Sequence, residues 1–225
     1  MRRTYGAHGD QWIDVRDAHD PRAVVVVLHG GFWRARYGAD LMDALCGDLA
    51  RRGYSAWNVE YRRVRAGGGW PSTFDDVEAA TRAAGAAGRP LVTLGHSAGG
   101  HLALWAGARC GAALAVAQAG VTDLREAWQR GLSSRAAGEL LGGSPDELPE
   151  RYDAASPAAL LPLGVRQLIV HGRRDDVVPP EMSRAYVRRA REAGDEIELV
   201  ECDEGHFECL EPASESWAAI VERLP

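Results

Sequence analysis

The sequence predicts an α/β fold built on a mostly parallel central sheet with helices on both faces. Short apolar runs rich in β-branched residues, such as AVVVVLHG at 23–30, have the length and composition of buried strands. Helical segments separate these runs, and strands that are apolar on both faces need helices over both sides of the sheet. At 225 residues the chain suits one domain, residues 1–225, with a sizeable core.

The predicted elements alternate along the chain. The first, WIDVR at Trp12–Arg16, alternates polar and apolar residues, so we expect an antiparallel strand at the edge of the sheet. Buried strands are predicted at 23–30, 54–61, 91–94, 112–120, 166–172 and 196–202. Helices are predicted at 38–53, 73–88, 98–109, 180–194 and 213–224.

One long segment, at about residues 121–164, lacks a strand pattern and contains several Pro and Gly breakers. A long excursion of this kind within a regular α/β chain is usually functional. Ligands bind beyond the carboxyl ends of the strands in such sheets. We therefore expect a short, irregular, lid-like segment above that edge.

Composition excludes several classes of function. With 26 basic and 32 acidic residues the net charge is -6, which argues against nucleic acid or a membrane surface as a partner. The first residues lack the apolar core of a secretory signal, and no apolar run approaches the roughly 20 residues of a membrane span. We therefore expect a cytoplasmic protein whose partner is a small molecule.

Four cysteines are present, and their spacing does not suggest a metal site. None of them forms a CxxC pair, so neither zinc nor a disulfide framework is predicted. Cys202 and Cys209 are close enough in sequence that pairing between them stays open.

The stretch GHSAG at 95–99 joins a predicted strand to a predicted helix. Glycines on both sides of Ser97 allow the sharp turn that brings two backbones together. Such a turn holds the serine hydroxyl above the strand end, beside a helix N-terminus, as a nucleophile elbow does. The alternative is a glycine-rich packing turn whose serine only caps the helix.

A nucleophilic serine requires an oxyanion hole, and LHGGFW at 28–33 offers one. The two glycines that follow the strand let backbone N–H groups point at a ligand. Gly31 and Phe32 are the expected donors, together with the N–H of Ala98 beside the serine. His29 is expected to brace this loop by hydrogen bonding. An ordinary glycine turn is the alternative interpretation.

The acid and the base are expected after the next strands. HGRRDDVVPP at 171–180 places Asp175 and Asp176 side by side, and either carboxylate could orient a histidine. His206 lies in the loop after the last predicted strand and is the candidate base. The chain order Ser, Asp, His is the order of α/β-hydrolase triads.

With these motifs in order, the sequence resembles the α/β-hydrolases of the small esterase and kynurenine-formamidase-like branch over nearly its whole length. HGGFW, GHSAGGHLALW, HGRRDDVVP and GHFE correspond to that branch's oxyanion, elbow, acid and histidine motifs. The resemblance selects Asp175 as the triad acid beside Ser97 and His206. It also implies an α/β-hydrolase fold, here without a large cap domain.

The resemblance implies a serine hydrolase that cleaves small-acyl esters or N-formyl amides through an acyl-enzyme, with no metal or organic cofactor. We expect aromatic pocket walls, which favour flat leaving groups. The candidates for substrate contact are Trp33, Trp70, Trp128 and Phe207. Two alternatives remain: an acyltransferase, cyclase or lyase that uses the same serine, and a hydrolase fold that binds a ligand without catalysis.

Overall fold

A single eight-stranded sheet organises the computed structural model, which describes residues 1–225. The strands are β1 Arg2–Thr4, β2 Trp12–Arg16, β3 Val24–Leu28, β4 Ser55–Glu60, β5 Leu91–His96, β6 Leu114–Gln118, β7 Gln167–Gly172 and β8 Ile197–Cys202. Their order in the sheet is β1-β2-β4-β3-β5-β6-β7-β8. The six strands from β4 to β8 in this order pair in parallel, whereas β2 pairs antiparallel with both of its neighbours, β1 and β4.

Eight α-helices connect or flank these strands. They are α1 Asp43–Arg51, α2 Ser72–Gly85, α3 Ala98–Cys110, α4 Leu124–Gln129, α5 Leu132–Leu141, α6 Pro149–Ala155, α7 Pro180–Glu192 and α8 Glu215–Val221. None of the helices is both long and apolar enough to cross a membrane.

The core lies in two layers, one on each face of the sheet. One cluster packs β3, β5 and β6 side chains under α2 and α3, and the other packs the opposite faces of these strands under α1 and α8. Strand β3 alternates between them, with Val26 in the first layer and Val25 in the second. The continuous apolar strands thus have helices on both faces, as the sequence predicts.

Two predictions about elements were wrong. Strand β2 is antiparallel but is not the edge strand, because Arg2–Thr4 pairs with its outer side. The segment at about 121–164 is not irregular throughout, since it contains the short helices α4, α5 and α6, although Ser133, Ser134 and Arg135 within α5 have left-handed backbones. Its Gly and Pro residues separate short helices, with left-handed Gly131 and Gly142 on either side of α5.

Candidate active site

Ser97 lies on the turn between β5 and α3 with φ 57° and ψ -118°. This left-handed backbone costs a non-glycine residue on the order of 1–3 kcal/mol and is concentrated at functional sites. The turn is held by the N–H of Ser97, which donates to the carbonyl of Gln118 on β6 at 2.8 Å. A Cβ at Gly95 would lie 2.1 Å from the carbonyl oxygen of Gly99, so the elbow requires glycine there.

Ser97 lines a cavity of about 330 Å³, and only 2% of the residue is exposed. This volume is near the lower end of the usual range for small-molecule sites. The cavity walls come from the loop after β3, the elbow, α5 and the loops after β7 and β8. The lining residues are Gly31, Phe32, Arg34, Arg36, Tyr37, Leu41, His96, Ser97, Ser133, Val177, His206, Phe207 and Leu210.

His206 and Asp175 form a buried pair beside this cavity. Nδ1 of His206 donates to Oδ2 of Asp175 at 2.7 Å. The other carboxylate oxygen accepts from the N–H groups of Val177 and Val178, both at 2.9 Å. Nε2 of His171 lies 3.1 Å from Oδ2 of Asp175. Asp175 is thus held from several sides with one oxygen directed at His206.

His96, between Gly95 and Ser97, is hydrogen-bonded to the loop that carries His206. Its Nε2 donates to the carbonyl of His206 at 2.9 Å, and the two ring centroids lie 4.6 Å apart. Burial and the neighbouring His206 lower the pKa of His96 to about 3, so this ring stays neutral. The sequence did not single out His96, because a histidine next to the elbow serine has no spacing that distinguishes its role.

Three backbone N–H groups near Ser97, two in the loop after β3 and one at the start of α3, have no hydrogen-bond acceptor in the protein. They belong to Gly31, Phe32 and Ala98. The loop adopts an unusual path, with φ 100° at Gly31, 49° at Phe32 and 59° at Trp33. A Cβ at Gly30 would lie 3.1 Å from the Cβ of Ser97, so loop and elbow approach closely. Three free donors next to a buried serine can hold a developing oxyanion.

His29 braces this loop as predicted. Its Nδ1 lies 2.8 Å from the carbonyl oxygen of Gly30, and its Nε2 lies 2.9 Å from Oε1 of Glu60. The ring also stacks on Tyr61 with centroids 4.4 Å apart. His29 is fully buried and does not line the cavity, so its role is structural.

The predicted aromatic walls fall in different places. Phe207 lines the cavity and is 64% exposed at its mouth. Trp33 is 1% exposed and belongs to the core, where its Nε1 donates to Nδ1 of His101 at 3.2 Å. Trp70 packs edge-on against Phe74, and Trp128 lies under the guanidinium of Arg135. The structure does not bring these three tryptophans to the cavity.

Several cavity residues were missed by sequence reasoning. Arg36 and Tyr37 lie a few residues beyond Phe32 in the loop after β3, and Ser133 comes from α5. A loop of this length gives no periodic signal for which side chains face inward, so only the HGG context could have pointed to it. All four cysteines are free thiols, and Cys202 and Cys209 do not pair.

Comparison with known proteins adds a family and a fold. The model of the family described as BD-FAE matches residues 14–189. A comparison with curated protein sequences gives no significant match.

Solved structures resemble the chain along almost its entire length. A truncated carbohydrate esterase from gut microbiota has a TM-score of 0.83 and 19% identity, covering 98% of this chain and 93% of that one. An esterase from Thermogutta terrifontis, solved with butyrate bound, has a TM-score of 0.75 and 21% identity, covering 99% and 89%. The same esterase phosphoramylated by tabun has a TM-score of 0.76 and 22% identity, covering 98% and 89%. These likenesses show the α/β-hydrolase fold.

Proposed function

The chain belongs to the BD-FAE family, and on this premise we propose that it is a serine esterase that cleaves small-acyl esters through an acyl-enzyme intermediate. The observation that carries the proposal is one arrangement. Ser97 shares a cavity with a histidine that is oriented by a buried carboxylate, and three unpaired N–H groups lie beside the serine. This is the set of parts that acyl transfer through serine needs.

The first half of the reaction forms the acyl-enzyme. Nδ1 of His206 is bonded to Asp175, whereas Nε2 makes no hydrogen bond within the protein and is free to accept a proton. His206 therefore accepts the proton of Ser97 Oγ while that oxygen attacks the substrate carbonyl. The carbonyl oxygen becomes an oxyanion held by the N–H groups of Gly31, Phe32 and Ala98. The acyl-enzyme is complete when protonated His206 gives its proton to the leaving alcohol as the tetrahedral intermediate collapses, and the alcohol departs.

The second half releases the acid. Water then enters, loses a proton to His206 and attacks the acyl carbonyl. Collapse of the second intermediate returns the proton to Ser97 Oγ and frees the carboxylic acid. Throughout, Asp175 stabilises the charged imidazolium.

The walls of the cavity support a small acyl group and a flat leaving group. Apart from Met1, the large hydrophobic side chains that are exposed are Tyr37 and Phe207, and both line this cavity. Aromatic faces at a mouth bury the face of an aryl or sugar ring. The butyrate-bound state of the Thermogutta terrifontis esterase is consistent with a short acyl group.

The N-formyl amide reaction is the finer alternative, because serine attack on a formyl carbonyl uses the same atoms. Esters and N-formyl arylamines should be assayed side by side with purified protein. Hydrolysis of p-nitrophenyl acetate and butyrate is expected, and turnover of N-formylkynurenine as well would extend the proposal to formamides. Added alcohol acceptors would reveal acyl transfer in place of hydrolysis.

The proposal is tested by labelling the nucleophile. A fluorophosphonate should add one adduct to Ser97, located by peptide mass spectrometry, and should abolish ester hydrolysis. Ser133→Ala is the matched control, since Ser133 also lines the cavity but its hydroxyl accepts from Arg34 at 2.8 Å. Adduct formation that persists in Ser97→Ala, or wild-type protein that hydrolyses no ester or formamide, would refute the proposal.

A further inference from the structure

The cavity around Ser97 carries positive charge and no negative charge. The charged side chains among its lining residues are Arg34 and Arg36, and none of the lining residues is Asp or Glu. The whole chain has the opposite balance, with 32 acidic and 26 basic residues. The sign of the charge at this cavity therefore differs from that of the protein as a whole.

The guanidinium of Arg34 already has hydrogen-bond partners within the protein. Its guanidinium donates to both carboxylate oxygens of Glu139, at 3.1 and 3.2 Å. It also donates to the hydroxyl and the carbonyl of Ser133, at 2.8 and 2.7 Å. Glu139 neutralises this charge, and the bonds tie the oxyanion loop to α5. Arg34 thus links two walls of the cavity through hydrogen bonds.

Arg36 is different, because no carboxylate lies within ion-pair distance of it. Its guanidinium carbon lies 5.6 Å from the centroid of the exposed Tyr37 ring. The surrounding loop is fixed, since Tyr37 N–H donates to the carbonyl of Arg34 at 3.2 Å and Arg63 donates to the carbonyl of Tyr37 at 2.5 Å. An uncompensated cation is thus held on a fixed loop at the mouth of the cavity.

We infer that Arg36 selects substrates whose leaving group carries a carboxylate. This inference rests on the proposed esterase function. The ester carbonyl must reach the buried Ser97, so the leaving group extends toward the mouth, where Tyr37 and Phe207 can cover a ring. A carboxylate on that ring meets Arg36, whose planar guanidinium binds carboxylates with two parallel hydrogen bonds. The substrate class is therefore an ester of a hydroxyl compound that is both cyclic and anionic.

A pair of substrates that differ in one charge tests the inference. The acetate esters of 3- and 4-hydroxybenzoate are compared with the acetate esters of the corresponding methyl hydroxybenzoates, which are neutral. The measured quantity is the ratio of kcat/KM for the anionic ester to that for the neutral ester. Comparing this ratio between variants cancels the difference in intrinsic reactivity of the two esters.

Arg36→Gln is expected to lower this ratio about two- to fivefold for at least one isomer, mainly through a higher KM for the anion, because Arg36 is exposed and exposed ion pairs are weak. Arg36→Lys should keep most of the preference, because it keeps the charge. Arg188→Gln is the matched control, an exposed arginine on α7 that also has no ion pair and does not line the cavity. Added salt should weaken the preference of the wild-type protein.

An equal ratio in wild-type protein and Arg36→Gln for both isomers would overturn the inference while leaving the esterase proposal intact. Calorimetry gives a readout that does not need turnover. Ser97→Ala protein should bind at least one of 3- and 4-acetoxybenzoate more tightly than its methyl ester, and the added Arg36→Gln change should remove that difference. Equal binding of acid and methyl ester for both isomers to Ser97→Ala protein would also overturn the inference.

Discussion

Nδ1 of His206 donates a 2.7 Å hydrogen bond to Oδ2 of Asp175, an oxygen that His171 also approaches at 3.1 Å. Burial raises the pKa of Asp175, but the hydrogen bonds from His171 and His206 outweigh burial and hold that pKa well below its usual range. Asp175 therefore stays ionised at every pH near neutrality. An ionised Asp175 keeps the proton of neutral His206 on Nδ1 and leaves the lone pair of Nε2 free for Ser97.

Asp175→Asn is expected to lower kcat for p-nitrophenyl acetate by on the order of 10⁴-fold, because an amide can stabilise the wrong imidazole tautomer. Asp176→Asn is the matched control, since Asp176 is exposed and makes no hydrogen bond or ion pair from its carboxylate. It should stay within about twofold of wild type, as surface substitutions usually do. A larger loss in Asp176→Asn than in Asp175→Asn would show that the acid has been assigned to the wrong residue.

His96→Phe is expected to lower kcat roughly tenfold with little change in KM. Phe keeps the ring beside His206 but removes the N–H that donates to the His206 carbonyl, so the base loses part of its support. His96→Gln, which can still donate, should recover part of the loss. The full pH profile should be measured for each variant. Loss of kcat with an unchanged profile and an unchanged unfolding midpoint supports a positioning role.

The turn at Ser97, the positions of Asp175 and His206 after successive strands, and the parallel strands were predictable because their signals are local. Gly95 and Gly99 flank Ser97 since any Cβ there meets backbone within about 2 Å, and this demand appears directly in the sequence. The buried strands are also evident in the sequence. Val24–Leu28, for example, contains only apolar residues. The structure brings His206, Asp175 and the serine cavity together at the carboxyl edge of the sheet.

The walls of the cavity were not predictable, because they depend on contacts between distant segments. Trp33 follows the HGG turn, yet its ring points into the core toward His101 on α3. Ser133 lines the cavity from α5, and its hydroxyl accepts from Arg34, a contact between residues 99 positions apart. The helices of 121–164 were missed because α4 and α6 are only about two turns long, α5 is interrupted at Ser133–Arg135, and Gly or Pro separates each helix from the next, so no 3.6-residue pattern is sustained.

Gly99→Ala should prevent correct folding or destabilise the protein by several kcal/mol. The added Cβ would lie 2.0 Å from the carbonyl oxygen of Leu28, where neither backbone can move without opening the sheet beneath the elbow. Gly85→Ala on α2 is the matched control, because its Cβ would meet Leu91 at an ordinary 3.6 Å. It should be neutral or stabilising by up to about 1 kcal/mol. Chemical denaturation of both variants checks the contrast, and a stable, active Gly99→Ala protein would contradict it.

Stability is expected to fall as pH drops from 7 to 5, in part because His101 is buried. Burial lowers its pKa to about 4, from an ordinary histidine value of 6.5. A group whose pKa is lowered on folding takes up protons first in the unfolded state. Its contribution to stability is therefore fully present above pH 6.5 and is lost as the pH falls toward 4. Between pH 7 and 5 the loss is about 2 kcal/mol.

His101→Phe isolates this contribution. The variant loses the bonds to Trp33 and Ala155, so it should be less stable than wild type at pH 7 by about 1–3 kcal/mol. Its free energy of unfolding should nevertheless change less between pH 7 and 5 than that of wild type. Urea denaturation at the two pH values gives both numbers, and equal pH dependence in the two proteins would exclude His101 as a source of acid sensitivity.

We expect a preference for short acyl groups, with activity declining gradually as the acyl chain lengthens. The cavity of about 330 Å³ must hold the acyl group and part of the leaving group, and Leu41 and Leu210 are among its apolar lining residues. Each methylene that an apolar pocket discriminates is worth only about 1–3 kcal/mol, so kcat/KM should decline stepwise with chain length. Measured over p-nitrophenyl esters from acetate to palmitate, the maximum is expected between acetate and butyrate. Ser97→Ala protein supplies the background rate for each ester, and a maximum at octanoate or longer would mean that the cavity opens further than this structure shows.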